Sequence, residues 1–290
     1  MKAAIASIRK ELAEIYSKEE SESLIFLIFE KMKGYSRTQF LLATDEVLEG
    51  ADRNEIENII GRLKNHEPIQ YILGMTEFYG SPFYTVPEVL IPRPETEELV
   101  QWIIQENKLL KPTILDIGTG TGCIAISLRK NIPESIVFAC DISPVCLETA
   151  RRNANLNASE VSVFEYDILK DTPEIVFPEL DIIVSNPPYV RQSEKLRMEK
   201  NVLNFEPGLA LFVPEYDPLL FYKSIAEFAQ VHLKTGGILY FEINEAFGNE
   251  CSEMLQQKGF SGVKVKKDIH GKNRFVVAVL SKGGVNNSDQ

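Results

Sequence analysis

The chain has 290 residues, 44% of them hydrophobic and 25% charged, with a net charge of -11. That length and balance fit one large or two medium globular domains with a sizeable core. They argue against a protein whose main work is gripping nucleic acid, which calls for a basic surface, and there is no run of about eighteen apolar residues to cross a membrane. Four cysteines (Cys123, Cys140, Cys146 and Cys251) show no C-x-x-C pairing, the usage of free buried thiols in a reducing cytoplasm. Three histidines, far apart in sequence, give a zinc site or a Ser-His-Asp triad little to build on, so no metal is expected. The opening Met1-Lys2-Ala3-Ala4-Ile5 flows into a charged amphipathic pattern and not into a signal-peptide core. The expectation is a cytoplasmic protein.

Residues 1–70 read as helical throughout. Ile5, Ile8, Leu12 and Ile15 recur at helical spacing, and Leu24 to Phe29 follow, ending at Lys33-Gly34 as a C-cap. Ser36 is placed to cap a short run holding Phe40, Leu41 and Leu42, and Asp52 with Glu55 looks like a capping box opening Ile56, Ile59, Ile60 and Leu63. A small helical bundle is expected. Over 71–92 the text breaks into short apolar pieces punctuated by Gly and Pro, which fits a β-hairpin linker. Pro92-Arg93-Pro94-Glu95-Thr96-Glu97 then opens a helix through Leu99 and Trp102. Pro94 with Thr96 as cap is a sufficient structural explanation; Arg93 between two prolines reads equally well as a rigid lip on a pocket.

From Thr113 strand and helix alternate. Strands are expected at 113–117, 136–140, 161–164, 180–184, 238–243, 263–265 and 274–280, with helices after Gly122, after Ser143-Pro144, over 218–233 and around Met254-Leu255. Such alternation implies a mostly parallel, doubly wound α/β sheet. The last two strands lack an intervening helix and should pair antiparallel at an edge. The domains are drawn at 1–70 (helical), 71–92 (linker) and 93–282 (α/β), and 283–290 is polar and expected to be disordered.

Three features carry chemistry. Gly118-Thr119-Gly120-Thr121-Gly122 follows the first strand of the sheet and opens a helix; without Cβ atoms, the loop can turn sharply and let a ligand lie against its backbone. Position 123 is Cys, so the spacing is G-x-G-x-G and not the G-x-G-x-x-G of pyrophosphate binders. Asp141 ends the second strand, placed to accept both hydroxyls of a ribose, although a helix-capping role competes. Asp116, just before the glycines, would favour a cationic ligand. Asp167 ends the third strand where an adenine edge would rest, with Ile168 able to cover the ring. Ribose, adenine and a positive charge among carboxylates describe S-adenosyl-L-methionine better than a dinucleotide. The third feature is Ser185-Asn186-Pro187-Pro188-Tyr189, at the abrupt end of a buried strand. Proline has no N–H and fixes φ, so the corner is stiff and cannot continue a ladder. The Asn186 side-chain oxygen and the Asn186 and Pro187 carbonyls can accept the hydrogens of a planar –NH2 group while the Tyr189 ring stacks on its plane. A lone Asn-Pro is more often an ordinary turn; the tetrapeptide after a buried strand is far more specific.

The combination of Asp116-x-Gly118-x-Gly120-x-Gly122, Asp141 and Asn186-Pro187-Pro188-Tyr189 resembles class I S-adenosylmethionine-dependent methyltransferases that modify planar nitrogens. His66-Glu67-Pro68-Ile69-Gln70-Tyr71-Ile72-Leu73-Gly74, Phe78-Tyr79-Gly80, Leu90-Ile91-Pro92-Arg93-Pro94-Glu95-Thr96-Glu97 and Phe205-Glu206-Pro207 narrow the resemblance to the HemK/PrmC family. The resemblance implies a seven-stranded Rossmann-like sheet, transfer of methyl to the glutamine N5 of the Gly-Gly-Gln motif in class I peptide chain release factors, and a helical domain that recognises them. It implies Asn186, Pro187 and Tyr189 as catalytic; Asp116, Gly118 to Gly122, Asp141, Asp167, Ile168 and Asn186 as the cofactor set; and Asn186 to Tyr189 with Arg93 and Glu95 as the substrate rim. A monomer without direct nucleic-acid or membrane contact is expected. The competing readings are an adenine-N6 DNA methyltransferase, which uses the same tetrapeptide on a flipped base, a non-enzymatic cofactor-binding protein, and a nicotinamide oxidoreductase.

Overall fold

A computed structural model describes residues 1–42, 49–170 and 178–281; the expected disordered tail lies outside them. The chain forms two compact units: Met1–Met75 together with Glu199–Phe205, and Thr76–Met198 together with Glu206–Gln290. In the first, α1 (Lys2–Leu12), α2 (Lys18–Lys33), α3 (Arg37–Leu42), α4 (Gly50–Lys64) and α5 (Ile69–Leu73) follow one another. Ile8, Leu12, Leu24, Ile25, Ile28, Phe29, Ile56, Ile59, Ile60 and Leu63 bury one stripe each from α1, α2 and α4 in a common core. Gly34 ends α2 in the left-handed region, at φ 68°, and the Ser36 hydroxyl accepts the Gln39 N–H at 3.3 Å to start α3. Asp52 does not begin α4. It is the third residue of the helix, and its carboxylate accepts the Glu49 N–H at 3.2 Å.

The second unit opens with β1 (Met75–Phe78) and β2 (Ser81–Tyr84), joined through Tyr79 and Gly80 at φ 49° and 68°. Two positive φ values in a row are what a two-residue hairpin turn requires. After α6 (Pro94–Glu106) come β3 (Thr113–Ile117), α7 (Cys123–Asn131), β4 (Ile136–Asp141), α8 (Pro144–Leu156), β5 (Val161–Glu165), β6 (Leu180–Ser185), the short β7 (Val190–Arg191), α9 (Lys200–Phe205), α10 (Gly208–Leu211), β8 (Phe212–Val213), α11 (Leu220–His232), β9 (Leu233–Glu242), α12 (Gly248–Gln257), β10 (Phe260–Lys267) and β11 (Asn273–Leu280). Of these, α9 belongs to the first unit.

Seven strands form one sheet in the order β10-β11-β9-β6-β3-β4-β5. The five from β9 to β5 are parallel, while β11 runs antiparallel between β9 and β10. The inner strands β3, β6 and β11 are buried on both faces, which is why they read as near-continuous apolar runs. Ile114, Ile182, Val184, Tyr240 and Phe275 face a core shared with Leu99, Trp102, Ile103 and Ile124 of α6 and α7. Leu115, Ile183, Leu239, Phe241 and Val276 alternate to the other side and pack on Tyr222 and Ile225 of α11 and Leu255 of α12.

One strand starts earlier than its sequence suggests. Glycines 236 and 237 read as the stop between a helix and a strand from Ile238, yet α11 ends at His232 and β9 runs from Leu233. Leu180 pairs with Leu233 and Ile182 with Ile238, so β9 bulges through its glycines against β6. A Cβ on Gly237 would lie 2.9 Å from the Lys234 carbonyl oxygen and 3.2 Å from that of Asp181. Gly237→Ala should therefore destabilise the protein by about 1–3 kcal/mol, through backbone displacement in the bulge, read as a lowered urea midpoint.

Candidate active site

Parallel register brings the sequence motifs to one edge. Ile117 pairs with both Cys140 and Ser185, and Ser185 pairs with Phe241, so β3, β4, β6 and β9 reach their carboxyl ends side by side. Open α/β sheets place ligands at this end of the strands. The Ser185 hydroxyl donates to the Ile117 carbonyl at 2.7 Å and ties the two motif-bearing strands where they stop.

The glycine loop leaves β3 with Gly118, Gly120 and Gly122 at φ 73°, 55° and 82°, which side chains other than glycine rarely adopt. Their surroundings differ. A Cβ on Gly118 would meet nothing within 4 Å, and one on Gly120 only Val89 Cγ1 at 4.0 Å; on Gly122 it would press to 3.2 Å from the Ala150 Cβ. The first two leave open space beside the backbone, and the third lets α7 pack against α8. Thr119 and Thr121 are buried, and the Thr119 hydroxyl donates to Asp116 Oδ2 at 2.6 Å. The loop therefore offers a ligand its backbone and not its threonine side chains.

Asp116 is fully buried, and burial pushes its carboxyl up to about 7 against the opposing bonds from Thr119 and the Ala125 amide. Asp141 Oδ2 accepts the Gly120 N–H at 2.9 Å and Oδ1 the Ser143 N–H at 3.0 Å, while the Ser143 hydroxyl separately caps α8. The carboxylate thus ties the glycine loop to β4, and the Ile142 amide and the Cys146 thiol bond it as well. Burial raises its pKa too, against those backbone bonds. Asp167 lies two residues beyond β5. Burial opposes its ionisation, but Lys170 at 2.9 Å and the Leu169 N–H hold it below its ordinary value. Ile168 is half-buried against the α11 side of the core.

The proline corner follows β6 without a break. Asn186 is half-buried and Pro187 buried. With Tyr189, Leu90, Arg93, Val190, Ala210 and Leu211 they line a small pocket of about 50 Å³. Among the described residues, the Asn186 Oδ1 and the Asn186 and Pro187 carbonyls accept no hydrogen bond. Asn186 Nδ2 donates to Thr96 Oγ1 at 3.3 Å, Thr96 Oγ1 donates to Glu242 Oε2 at 2.7 Å, and the Tyr189 hydroxyl donates to Glu242 Oε1 at 3.1 Å. Asn244 Nδ2 donates to the Tyr189 carbonyl at 3.1 Å and steadies the corner from β9's exit.

Arg93 reaches the pocket and pairs with the buried Glu206 at 2.6 Å; the same carboxylate accepts the Ile91 N–H at 3.5 Å and pins the lip. Glu95 is half-buried nearby, and its charge helps raise the pKa of Glu242, a shift that burial dominates. Thr96 is not the cap of α6. That place is taken by Arg93 with Pro94 as first helical residue, and the threonine is turned inward to Glu242. Sequence reasoning missed Glu242, Thr96's partner, and Glu206. For Glu242 the signal was a lone carboxylate closing the apolar run Ile238 to Phe241.

A glycine loop and an Asn-Pro-Pro-Tyr corner at adjacent strand ends of a sheet in this order make the chain a Rossmann-like methyltransferase. A methyltransferase small domain matches residues 95–204 and a PrmC N-terminal domain residues 3–74. The fold is shared with a crystal structure of a methyltransferase from Pyrococcus furiosus, at a TM-score of 0.51 and 21% identity over 78% of this chain and 100% of that one. Release factor glutamine methyltransferase of Flavobacterium psychrophilum is 48% identical over 269 residues, 91% of this chain and 94% of that protein. The Streptococcus pneumoniae protein of the same name is 42% identical over 262 residues, 89% of this chain and 91% of its own. The chain belongs to the release factor glutamine methyltransferase family.

The buried Asp116 carries a pH signature. With its pKa moved from 3.8 to about 7, the folded protein keeps a proton that the unfolded chain has released. Stability therefore falls as pH rises from about 4 to about 7. Asp116→Asn should flatten this decline in melting temperature measured against pH; a residual slope of the same sign is expected from Asp141 and Glu242, whose values are also raised.

Proposed function

We propose that the chain transfers a methyl group from S-adenosyl-L-methionine to the side-chain amide nitrogen of the glutamine in the Gly-Gly-Gln motif of class I peptide chain release factors. One observation carries the reading: an Asn186 Oδ1 and a Pro187 carbonyl that accept no hydrogen bond among the described residues, on a rigid corner one strand away from the glycine loop. The relatives that match over most of the chain support the same substrate, and the adenine-N6 DNA reading is not favoured.

The residues fit the cofactor. Gly118 and Gly120 open onto space that a Cβ would enter, and Asp141, bonded to the Gly120 N–H at the end of β4, would accept from a ribose diol beside them. Asp116 is a buried carboxyl whose ionised form a bound cation would favour, and Asp167 with Ile168 would take the adenine edge and face. Thr119 and Thr121 would contribute through the backbone. When bound, S-adenosyl-L-methionine supplies a methyl group made electrophilic by its sulfonium.

An amide nitrogen is a poor nucleophile because its lone pair is delocalised. Acceptance of its two hydrogens by Asn186 Oδ1 and the Pro187 carbonyl would raise electron density on nitrogen and aim it. Pro188 would keep the corner stiff, and the Tyr189 ring would hold the amide plane. Positioning at ~3–3.5 Å supplies most of the acceleration. No strong base is needed first; the methylated nitrogen gives up its proton afterwards to water or to a carbonyl of the corner. Arg93 and Glu95 form the rim that admits the glutamine, and the helical unit recognises the release factor. The reading includes a cytoplasmic monomer with no direct nucleic-acid contact.

Asn186→Ala should lower turnover on a release factor by about a hundredfold or more, while S-adenosyl-L-methionine affinity by calorimetry changes less than about tenfold. Mass spectrometry of the Gly-Gly-Gln peptide reads the product; unchanged methylation in the variant would remove Asn186 from the chemistry.

A further inference from the structure

We infer that Glu242 and Thr96 are positioning residues that fix which end of the Asn186 amide faces the pocket, an inference that rests on the proposed methyl transfer. Glu242 closes β9, is 1% exposed and is held in register opposite Phe275 of β11. As a carboxylate it only accepts hydrogen bonds. It takes one from Thr96 through Oε2 and one from Tyr189 through Oε1.

A threonine hydroxyl has a single proton. Thr96 spends it on Glu242, so its oxygen can only accept from Asn186. The neighbour must then be the Asn186 NH2 and not its oxygen, and the contact is made by Nδ2 at 3.3 Å. Oδ1 is thereby turned away from Thr96 and left as the acceptor the proposed substrate amide needs. Reversal would put an NH2 against an NH2, two donors with nothing between them. The directionality of the chain from Asn186 through Thr96 to Glu242 is imposed by the buried charge at its end. The second oxygen of that carboxylate holds the Tyr189 hydroxyl, so one buried group aligns two walls of the pocket. Neither Thr96 nor Glu242 is among the residues that line it.

The test compares wild type with Thr96→Val, which keeps the shape but loses the hydroxyl, Thr96→Ser, which restores it, and Glu242→Gln, whose NH2 can donate to Thr96 and reverse the chain. Turnover and KM on a release factor are measured beside S-adenosyl-L-methionine affinity and melting temperature. We expect Thr96→Val and Glu242→Gln to lower kcat by about tenfold or more, with cofactor affinity within about twofold, and Thr96→Ser to recover most of the kcat. A Thr96→Val enzyme with wild-type kcat overturns the positioning role. So does a loss that Thr96→Ser fails to recover, or one that follows melting temperature or cofactor affinity across the variants. A folded wild type that leaves the Gly-Gly-Gln glutamine unmethylated overturns the proposed function itself, and the positioning role with it.

Discussion

The parallel pairing of β3 with β6 is the constraint on which the site depends. Ile117 and Ser185 sit opposite each other, and a serine-to-carbonyl bond closes the pair at 2.7 Å. One step beyond, one strand turns into a glycine loop and the other into a proline corner. Their chemistries meet only because both strands stop at the same level. A slip of one residue would also exchange the faces of Ile182, Ile183 and Val184 between the two cores, so the packing that stabilises the sheet is what aligns the site.

That alignment concentrates negative charge. Asp116, Asp141 and Glu242 lie at neighbouring strand ends, and burial raises the pKa of each. Asp268 shows the contrast: burial works against it, yet bonds from Lys272, Arg274 and His270 hold it below its ordinary value. Buried carboxylates cost stability, even at Glu242, where the charge of Arg274 offsets part of the burial. Such a cost is expected where a fold keeps charge in readiness for a ligand. The neutral donors around Glu242, two hydroxyls, lower that cost while leaving the charge in place, and in doing so they acquire fixed directions.

Glu206 plays a comparable part at the lip of the pocket. It gathers the Arg93 guanidinium and the Ile91 N–H, so the lip built from Pro92, Arg93 and Pro94 is tied down by a carboxylate more than a hundred positions along the chain. Two buried glutamates thus hold the pocket, Glu242 through the corner and Glu206 through the lip.

The sequence by itself determined the α/β alternation, the helical start, the glycine loop, the acidic strand ends and the proline corner. Those signals are local: apolar runs bounded by Gly, Pro and Asp, and helical periodicity with capping residues. It did not reveal that β9 begins before Gly236, because paired glycines look the same in a helix stop and in a bulge, and only the neighbouring β6 distinguishes them. Nor did it reveal that Thr96 turns inward from the first turn of α6, where a threonine reads as a cap. Gly122 looked equivalent to Gly118 and Gly120 until α8 supplied the Ala150 that crowds it. Tertiary structure alone decided those points, because a hydrogen bond between residues 96 and 242 has no trace in the spacing of either. Short-range pattern fixes which groups a strand end carries; only the packed sheet decides which of them touch.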